Sequence, residues 1–158
     1  MDPKYQTQAA FLLGRVLVGV VYLGAGAGNL AALEGKAAYA ASKGVPAPQV
    51  LVGLASLLLL AGGFSLLTGF RPRLGVLAIA CFLVPVTLIM HDFWNLQGAR
   101  RQADMQGFLA NAAMLGSALM FLAIPGPWAF SLERLVGARA RRGTAPAAPP
   151  VVAVSTGD

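Results

Sequence analysis

Cysteine and histidine are nearly missing from this chain, which contains one of each, Cys81 and His91. A lone cysteine excludes an intrachain disulfide and any zinc or iron–sulfur site built on several cysteines. A lone histidine cannot ligate a haem from both faces, and no flavin or metal-binding motif is present. The sequence therefore predicts no resident metal, and the electrons for any redox reaction would have to come from a partner protein.

Charged residues are scarce as well. They make up 11% of the 158 residues, against 57% apolar residues, whereas ordinary soluble domains carry about a quarter charged residues. The bilayer is therefore the expected solvent. Four apolar stretches reach the roughly 17–25 residues that a membrane-spanning helix needs. They lie near residues 9–33, 50–70, 74–90 and 107–124, and the segments between them, such as EGKAAYAASKGVPAP, hold charges and turn residues and are expected to be loops.

The predicted fold class is all-α: a four-transmembrane-helix bundle with a short C-terminal interfacial helix. The membrane domain covers residues 1–137. Ser131 is the expected N-cap of the interfacial helix, with Trp128 and Phe130 at the level of the lipid headgroups. Residues 138–158 are rich in alanine and proline, cannot bury a core and are predicted to form a disordered cytoplasmic tail.

The positive charges predict the orientation. Seven lysines and arginines fall on the side of both termini, and four fall on the other side, where three acidic residues offset them. Cytoplasmic segments carry the excess of such residues, so both termini are expected in the cytoplasm. The first apolar stretch is longer than the roughly 7–15 residues of a cleaved signal sequence, so it is expected to remain as a span. The net charge of +6 then reflects topology and lipid headgroups, and no nucleic-acid partner is expected.

Polar side chains inside the spans mark candidate ligand-binding positions. Arg15, Tyr22 and Asn29 follow one another at steps of seven residues on one face of the first span, and this face is expected to point into the bundle. An arginine at this depth is costly unless it reaches the headgroups or finds interior partners, and both alternatives stay open. Asn111 is expected on the inner face of the fourth span. The candidate quinone-binding or ligand-binding residues are Arg15, Tyr22, His91 and Asn111.

Small residues mark where helices are expected to pack closely. In a membrane, helices associate through close backbone approach, because lipid is as apolar as leucine and supplies no hydrophobic drive. Two such positions lie on the polar face of the first span and two on one face of the second span. The candidate helix-packing residues are Gly19, Gly26, Gly62 and Ser65.

The third span contains Pro85, which cannot donate to the carbonyl of Cys81, so a kink or an opened turn is expected there. Water, a side chain or a ligand can fill such an opening. His91 and Asp92 follow at the non-cytoplasmic rim, beside an aromatic pair typical of membrane interfaces. Two interpretations stay open for them: a wet interfacial pair, or groups that contact a substrate or move protons.

Motifs along residues 11–136 resemble, in order and spacing, those of the DoxX family of small four-helix membrane proteins. GRVLVGVVYLGAGAGNL is similar to the family's first-helix motif, LLLLAGGFSLLTGFRPRLG to its second helix and arginine-bearing turn, and GPWAFSLERL to its closing signature. MHDFWN, followed by QGFLANAAMLGSAL, resembles its histidine–aromatic loop and last helix. Two positions depart from the family pattern, because Asn29 stands where lysine is usual and Leu59 where glutamate is common.

The resemblance implies a place in a bacterial inner membrane and several functions. Some family members are membrane subunits of thiosulfate:quinone oxidoreductases, and others are linked to membrane complexes that handle thiol and oxidative stress. Because the lysine and the glutamate are missing here, an accessory or structural subunit of a larger membrane complex is the first expectation. The alternatives are a quinone-interacting oxidoreductase subunit, with quinone as its only cofactor, and a small-molecule carrier. Membrane lipid and other protein subunits, in a hetero-complex or a homo-oligomer, are the expected partners.

Overall fold

Helices make up most of the computed structural model, which describes residues 3–143, with side chains from residue 5 to residue 139. The helices are α1 (Pro3–Ala31), α2 (Leu33–Ser42), α3 (Pro48–Thr68), α4 (Pro72–Met90), α5 (Gly98–Met120) and α6 (Leu132–Gly143), and 3₁₀ turns lie at Phe93–Asn95 and Phe121–Ala123. Four helical segments are long and apolar enough to cross a membrane, and residues 3–143 contain no strand. The predicted all-α bundle of four transmembrane helices with a short C-terminal helix is confirmed.

The helix α3 lies at the centre of the bundle. It packs against α1 on one side and α4 on the other, and α4 packs in turn against α5. Leu59, Leu66 and Ile79 are among the buried apolar side chains where these helices meet. Other large side chains, such as Leu57 and Leu77, are more than half exposed. Because lipid tails are as apolar as leucine, a bilayer accommodates this outward face.

Prolines and glycines set the helix ends. Pro48 and Pro72 begin α3 and α4, where a backbone N–H has no helical partner to lose. Gly69 ends α3 with a φ of 65°, a conformation that glycine adopts without strain, and its N–H donates to the Ser65 carbonyl. A β-carbon at Gly69 would lie 2.7 Å from Ser131 Cβ, so this turn abuts the segment before α6. We call this side of the bundle the terminal end, and the opposite side, with α2 and residues 91–97, the loop end.

Three boundaries differ from those predicted. Residues 33–42 do not form a loop: they form α2, whose buried Ala37 and Ala40 face the bundle. The helix α5 begins at Gly98 instead of near residue 107, because its first polar turns stay helical beyond the apolar span. The predicted domain boundary at residue 137 falls inside α6, which continues to Gly143. The rest of the predicted tail, residues 144–158, lies outside the described residues.

Candidate ligand-binding site

A groove of about 410 Å³ lies between α2, α3 and α4. Its walls are almost wholly apolar and include Leu51, Leu54 and Leu58 from α3 and Ile89 from α4. Each of these four side chains is at least 40% exposed, so the groove opens towards the surrounding lipid. Sites for small molecules commonly occupy about 300–1,000 Å³ and have mainly apolar walls. The groove is therefore large enough to hold a substituted ring.

The middle of α4 forms part of the groove wall. Pro85 and the exposed Cys81 both line the groove, and α4 continues as a helix through the proline. Proline has no N–H, so the Cys81 carbonyl lacks its usual helical donor. One turn away, the Thr87 hydroxyl donates to the Leu83 carbonyl. The helical hydrogen bond that Pro85 removes thus lies beside the groove.

The loop end of the groove is polar. Asn29, Lys36, Tyr39 and His91 line it and bring together an amide, an ammonium, a phenol and an imidazole. All four groups can donate hydrogen bonds. The Tyr39 hydroxyl donates to the Met90 carbonyl at 3.1 Å, which joins α2 to the end of α4. The groove therefore combines an apolar body with a hydrogen-bonding head.

An ion pair between Lys43 and Asp92 closes the loop end. Lys43 follows α2, Asp92 follows α4, and the Asn95 amide donates to the same carboxylate at 3.3 Å. Hydrogen bonding to Asp92 raises the pKa of Lys43 above its ordinary value. Among the residues whose side chains are described, this is the only ion pair. Lys43 and Asp92 are both charged at neutral pH, so the pair holds α2 against α4.

His91 connects the groove with α5. Its ring packs against Gly107, where an added β-carbon would lie 2.6 Å from Nδ1. This Nδ1 is buried without a hydrogen-bond partner, and so is Oδ2 of Asp104, one turn before Gly107. Asp92 is bonded to Lys43 and Asn95, and the His91 ring lies against α5. Both unpaired atoms are therefore buried near the contact between His91 and α5.

Tyr22 joins α1 to α5. Its hydroxyl donates to the Met114 carbonyl and lies 3.2 Å from Ser117 Oγ. The side chain is buried and is not part of the groove wall. Asn111 is half-buried on α5, one turn from Met114 towards the loop end. It therefore lies between the contacts of Tyr22 and His91 along that helix.

Arg15 lies at the terminal end. Its Nη1 donates to the Ala129 carbonyl at 3.3 Å, and its Nη2 donates to the Phe130 carbonyl at 2.8 Å. The guanidinium also lies 5.7 Å from the centre of the Trp128 ring. Only 2% of the Arg15 side chain is exposed, and its hydrogen-bond partners lie in the segment that follows α5. Arg15 contacts the segment after α5, whereas Tyr22 and His91 contact α5 itself, two turns apart. The structure therefore does not gather the three side chains into one site.

The four packing positions lie at helix contacts. Gly19 and Gly26 face α3, with 3.1 Å between their hypothetical β-carbons and the nearest α3 backbone atoms. A β-carbon at Gly62 would lie 2.8 Å from the Gly75 carbonyl oxygen on α4. The Ser65 hydroxyl donates to backbone carbonyls of the turn into α4, at 2.7 and 3.2 Å. Small side chains therefore set the spacing of α3 from both of its neighbours.

Sequence reasoning missed Lys36 and Tyr39 as groove residues, because their segment was expected to be a loop. A signal was present: Lys36, Tyr39 and Lys43 recur at the spacing of one helical face. The alanines at positions 37 and 40 fall on the adjacent, buried face. Asn29 was predicted on the polar face of the first span, with Arg15 and Tyr22, but not as part of a groove. Its position on the groove depends on how α2 turns back against α3, and local sequence does not specify that arrangement.

Comparisons with known proteins agree with this architecture. The family model described as DoxX matches residues 10–92, more than half of the chain, which includes most of α1 and all of α2, α3 and α4. "Inner membrane protein YphA" of Escherichia coli (strain K12) is 27% identical over 123 residues, 78% of this chain and 87% of that protein. "Inner membrane protein YqjF" of the same organism is 30% identical over 125 residues, 79% of this chain and 90% of that protein. No solved structure matches the chain significantly. The matched span and the four membrane-spanning helices together show that the chain belongs to the DoxX family of integral membrane proteins.

Proposed function

We propose that this protein binds a lipid-soluble ligand of the quinone class in the groove between α2, α3 and α4, as a membrane subunit of a larger redox complex. One observation carries the proposal: the groove has apolar walls open to lipid and a head lined by four hydrogen-bonding side chains. A quinone also has a polar and an apolar part, because its ring carries two carbonyl acceptors and its prenyl chain is apolar.

The donors at the head of the groove fit the oxygens of a quinone ring. Lys36 and Asn29 carry N–H groups, and the His91 ring lines the same head. Tyr39 already donates to the Met90 carbonyl, so we assign it the role of holding α2 in place. A bound quinone would supply the capacity to accept or give electrons. The residues of this chain would hold its carbonyl oxygens and fix the depth of its ring in the membrane.

The two departures from the family pattern affect this proposal differently. Leu59 is 1% exposed in the core and does not line the groove. Asn29 does line it, and there a neutral amide replaces the usual cation. Lys36 lines the same head and supplies a positive charge. The groove therefore keeps a cation next to the site proposed for the quinone carbonyl.

A partner protein is part of the proposal, because the sequence has no redox group of its own apart from a single cysteine. The accessory role and the quinone role then describe one subunit: the partner supplies electrons and this chain holds the quinone. The names of both E. coli relatives support a place in the bacterial inner membrane. The excess of positive charge on the side of the termini supports cytoplasmic termini.

Cys81 provides a direct test of occupancy, because it is the only cysteine and it lines the groove. The full chain in lipid nanodiscs would be labelled with a lipid-soluble maleimide. A fully substituted benzoquinone with a short prenyl chain, which cannot itself add to the thiol, would be present or absent. Quinone is expected to slow the labelling of Cys81. In the control variant Cys81→Ser/Leu57→Cys, the thiol lies on the exposed face of α3 outside the groove, and its labelling rate should not change.

Filling the groove tests the same site without a label. Leu58 lines the groove and its neighbour Leu57 does not, although both are exposed. Leu58→Trp is expected to lower the amount of quinone that is extracted with the purified protein, and Leu57→Trp should leave it unchanged. Equal amounts in the two variants would remove the groove from the proposal. A purified complex that contains a partner but no quinone would support the accessory role alone.

A further inference from the structure

A second cavity, of about 560 Å³, lies at the terminal end, opposite the head of the groove. It is formed by the turn between α3 and α4, the end of α5 and the segment that leads into α6. Arg71 and Arg73 both line it. A neighbouring cavity of about 460 Å³ shares Pro127 and Glu133 with it and adds Arg134. Basic side chains therefore surround a recess where the bundle meets the membrane surface.

The two arginines lack an acidic partner. Within residues 5–139 neither Arg71 nor Arg73 forms an ion pair, and the Arg71 guanidinium packs 5.6 Å from the centre of the Phe70 ring. Glu133 lines the same cavity from the first turn of α6, where the helix dipole favours a negative charge. Two positive charges therefore face one negative charge, and the recess is suited to an anion.

The turn that carries the arginines is fixed by hydrogen bonds. The Ser65 hydroxyl donates to the carbonyls of Phe70 and Arg71, at 2.7 and 3.2 Å. Ser65 is itself held against Gly75, where a β-carbon would lie 2.5 Å from Ser65 Cβ. Arg71 adopts a φ of 47° immediately before α4, and Arg73 lies in the first turn of that helix. An anion would therefore meet a preformed turn, and little chain entropy would be lost on binding.

The other wall of the cavity is apolar. Leu74, Phe121 and Ile124 line it, and Leu74 and Ile124 are partly exposed towards the outside of the bundle. A guanidinium group binds phosphate oxygens through two parallel hydrogen bonds. Basic recesses between membrane helices bind the headgroups of anionic lipids. An ordinary soluble anion would use the arginines but would have no use for the apolar wall.

We propose that this cavity is a binding site for an anionic phospholipid, with the phosphate held by Arg71 and Arg73 and an acyl chain against Leu74 and Ile124. The site is independent of the groove proposed for quinone, because no residue lines both cavities. It ties the turn between α3 and α4 to the segment before α6 through a lipid. Anionic lipid should therefore stabilise the terminal end of the folded protein.

The test compares lipids and matched pairs of arginines in the full-length protein. Its melting temperature would be measured in detergent with added phosphatidylglycerol or phosphatidylcholine, and retained lipids would be counted by native mass spectrometry. We expect the wild-type protein to be stabilised by phosphatidylglycerol and to retain it in preference to phosphatidylcholine. Arg71→Gln/Arg73→Gln should lose this preference. The control Arg100→Gln/Arg101→Gln removes two adjacent exposed arginines at the loop end and should keep the preference.

Three further measurements sharpen the outcome. Glu133→Gln removes the one acidic group of the cavity and should increase retention of phosphatidylglycerol. If the double variant does not fold, Arg73→Gln alone carries the test, because Arg73 has an ordinary helical backbone. If both double variants lost the preference for phosphatidylglycerol to the same extent, general charge attraction would explain it and the proposal would be overturned. Stabilisation by inorganic phosphate to the same extent as by the lipid would also overturn it, because the acyl chain would then contribute nothing.

Discussion

Arg15 uses its side chain to hold distant backbone. Its two terminal nitrogens bond to the carbonyls of Ala129 and Phe130, which follow it by 114 and 115 residues. The sequence placed this arginine in the first span and left open whether it has interior partners or reaches the headgroups. It could not supply the answer, because backbone carbonyls carry no signature in the sequence and their position depends on the path of the chain after α5.

Replacing Arg15 should loosen the terminal end. Hydrogen bonds to charged groups contribute about 1.5–3 kcal/mol each, so we expect Arg15→Gln to lower the free energy of unfolding by roughly 2–4 kcal/mol. Arg15→Lys should restore only part of it, because a single ammonium lacks the fork that spans two carbonyls. The free energy of unfolding of both variants would be measured in mixed micelles. Arg101→Gln, at an exposed position on α5, is the control. Unchanged stability together with lost quinone would contradict this structural role.

The contact of His91 with α5 also depends on a single residue. Gly107→Ala would place a methyl group 2.5 Å from Cε1 of His91, so the ring must move. We expect a destabilisation of about 1–3 kcal/mol, the usual cost of overpacking. Gly116→Ala on the same helix meets nothing within 4 Å and should be neutral or slightly stabilising. The stability of the two variants would be compared by thermal unfolding. A similar destabilisation in both would mean that the His91 ring does not pack against α5.

At the scale of elements, α2 was the largest departure from expectation. Apolar content alone predicts the four spans, because each is long and strongly apolar. The short α2 has only ten residues and a polar face, so its helical spacing is weak beside the charges and glycines that suggest a loop. Packing of Ala37 and Ala40 against α3 stabilises it. The head of the groove was missed for the same reason, since two of its four polar residues lie on α2.

The pair Lys43–Asp92 should couple α2 to α4. In a double-mutant cycle of Lys43→Ala and Asp92→Ala, we expect positive coupling of melting temperatures at low salt. It should fall towards zero near 1 M salt, where the screening length is about 3 Å. Because the folded-state pKa of Lys43 is raised, this stabilisation is present below its ordinary value of 10.5 and is lost as the pH rises through the higher value. Coupling that is unaffected by salt would show that the pair acts through packing.

At the scale of the whole molecule, composition was sufficient for the architecture. Four stretches of membrane-spanning length require antiparallel helices, and short connections place neighbours in sequence side by side. The arrangement of polar residues was not predictable in the same way. Arg15, Tyr22 and His91 were grouped because all three are polar and lie in or at spans, yet each lies at a different depth. The depth of each polar side chain in the membrane, and the direction from which it meets its partner, follow from helix packing. The periodicity of one helix does not determine either of them.

The orientation of the molecule remains a prediction that fusions can check. Seven lysines and arginines on the side of the termini, against four on the other side, favour cytoplasmic termini. A green fluorescent protein fused after residue 158 is expected to fluoresce, and alkaline phosphatase fused at the same point should be inactive. A phosphatase insertion between residues 96 and 99 should give the opposite result. An active phosphatase at the C-terminus would reverse the orientation.

The contact between Arg15 and residues 129 and 130 has a consequence for biogenesis. During synthesis α1 enters the membrane long before the ribosome has made its partners. For that interval the guanidinium is without its carbonyl acceptors, and water or the insertion machinery must accommodate the charge. A chain that stops short of residue 129 never relieves this state. Truncated products that lack residues 129 and 130 would therefore carry an unmatched charge in the membrane.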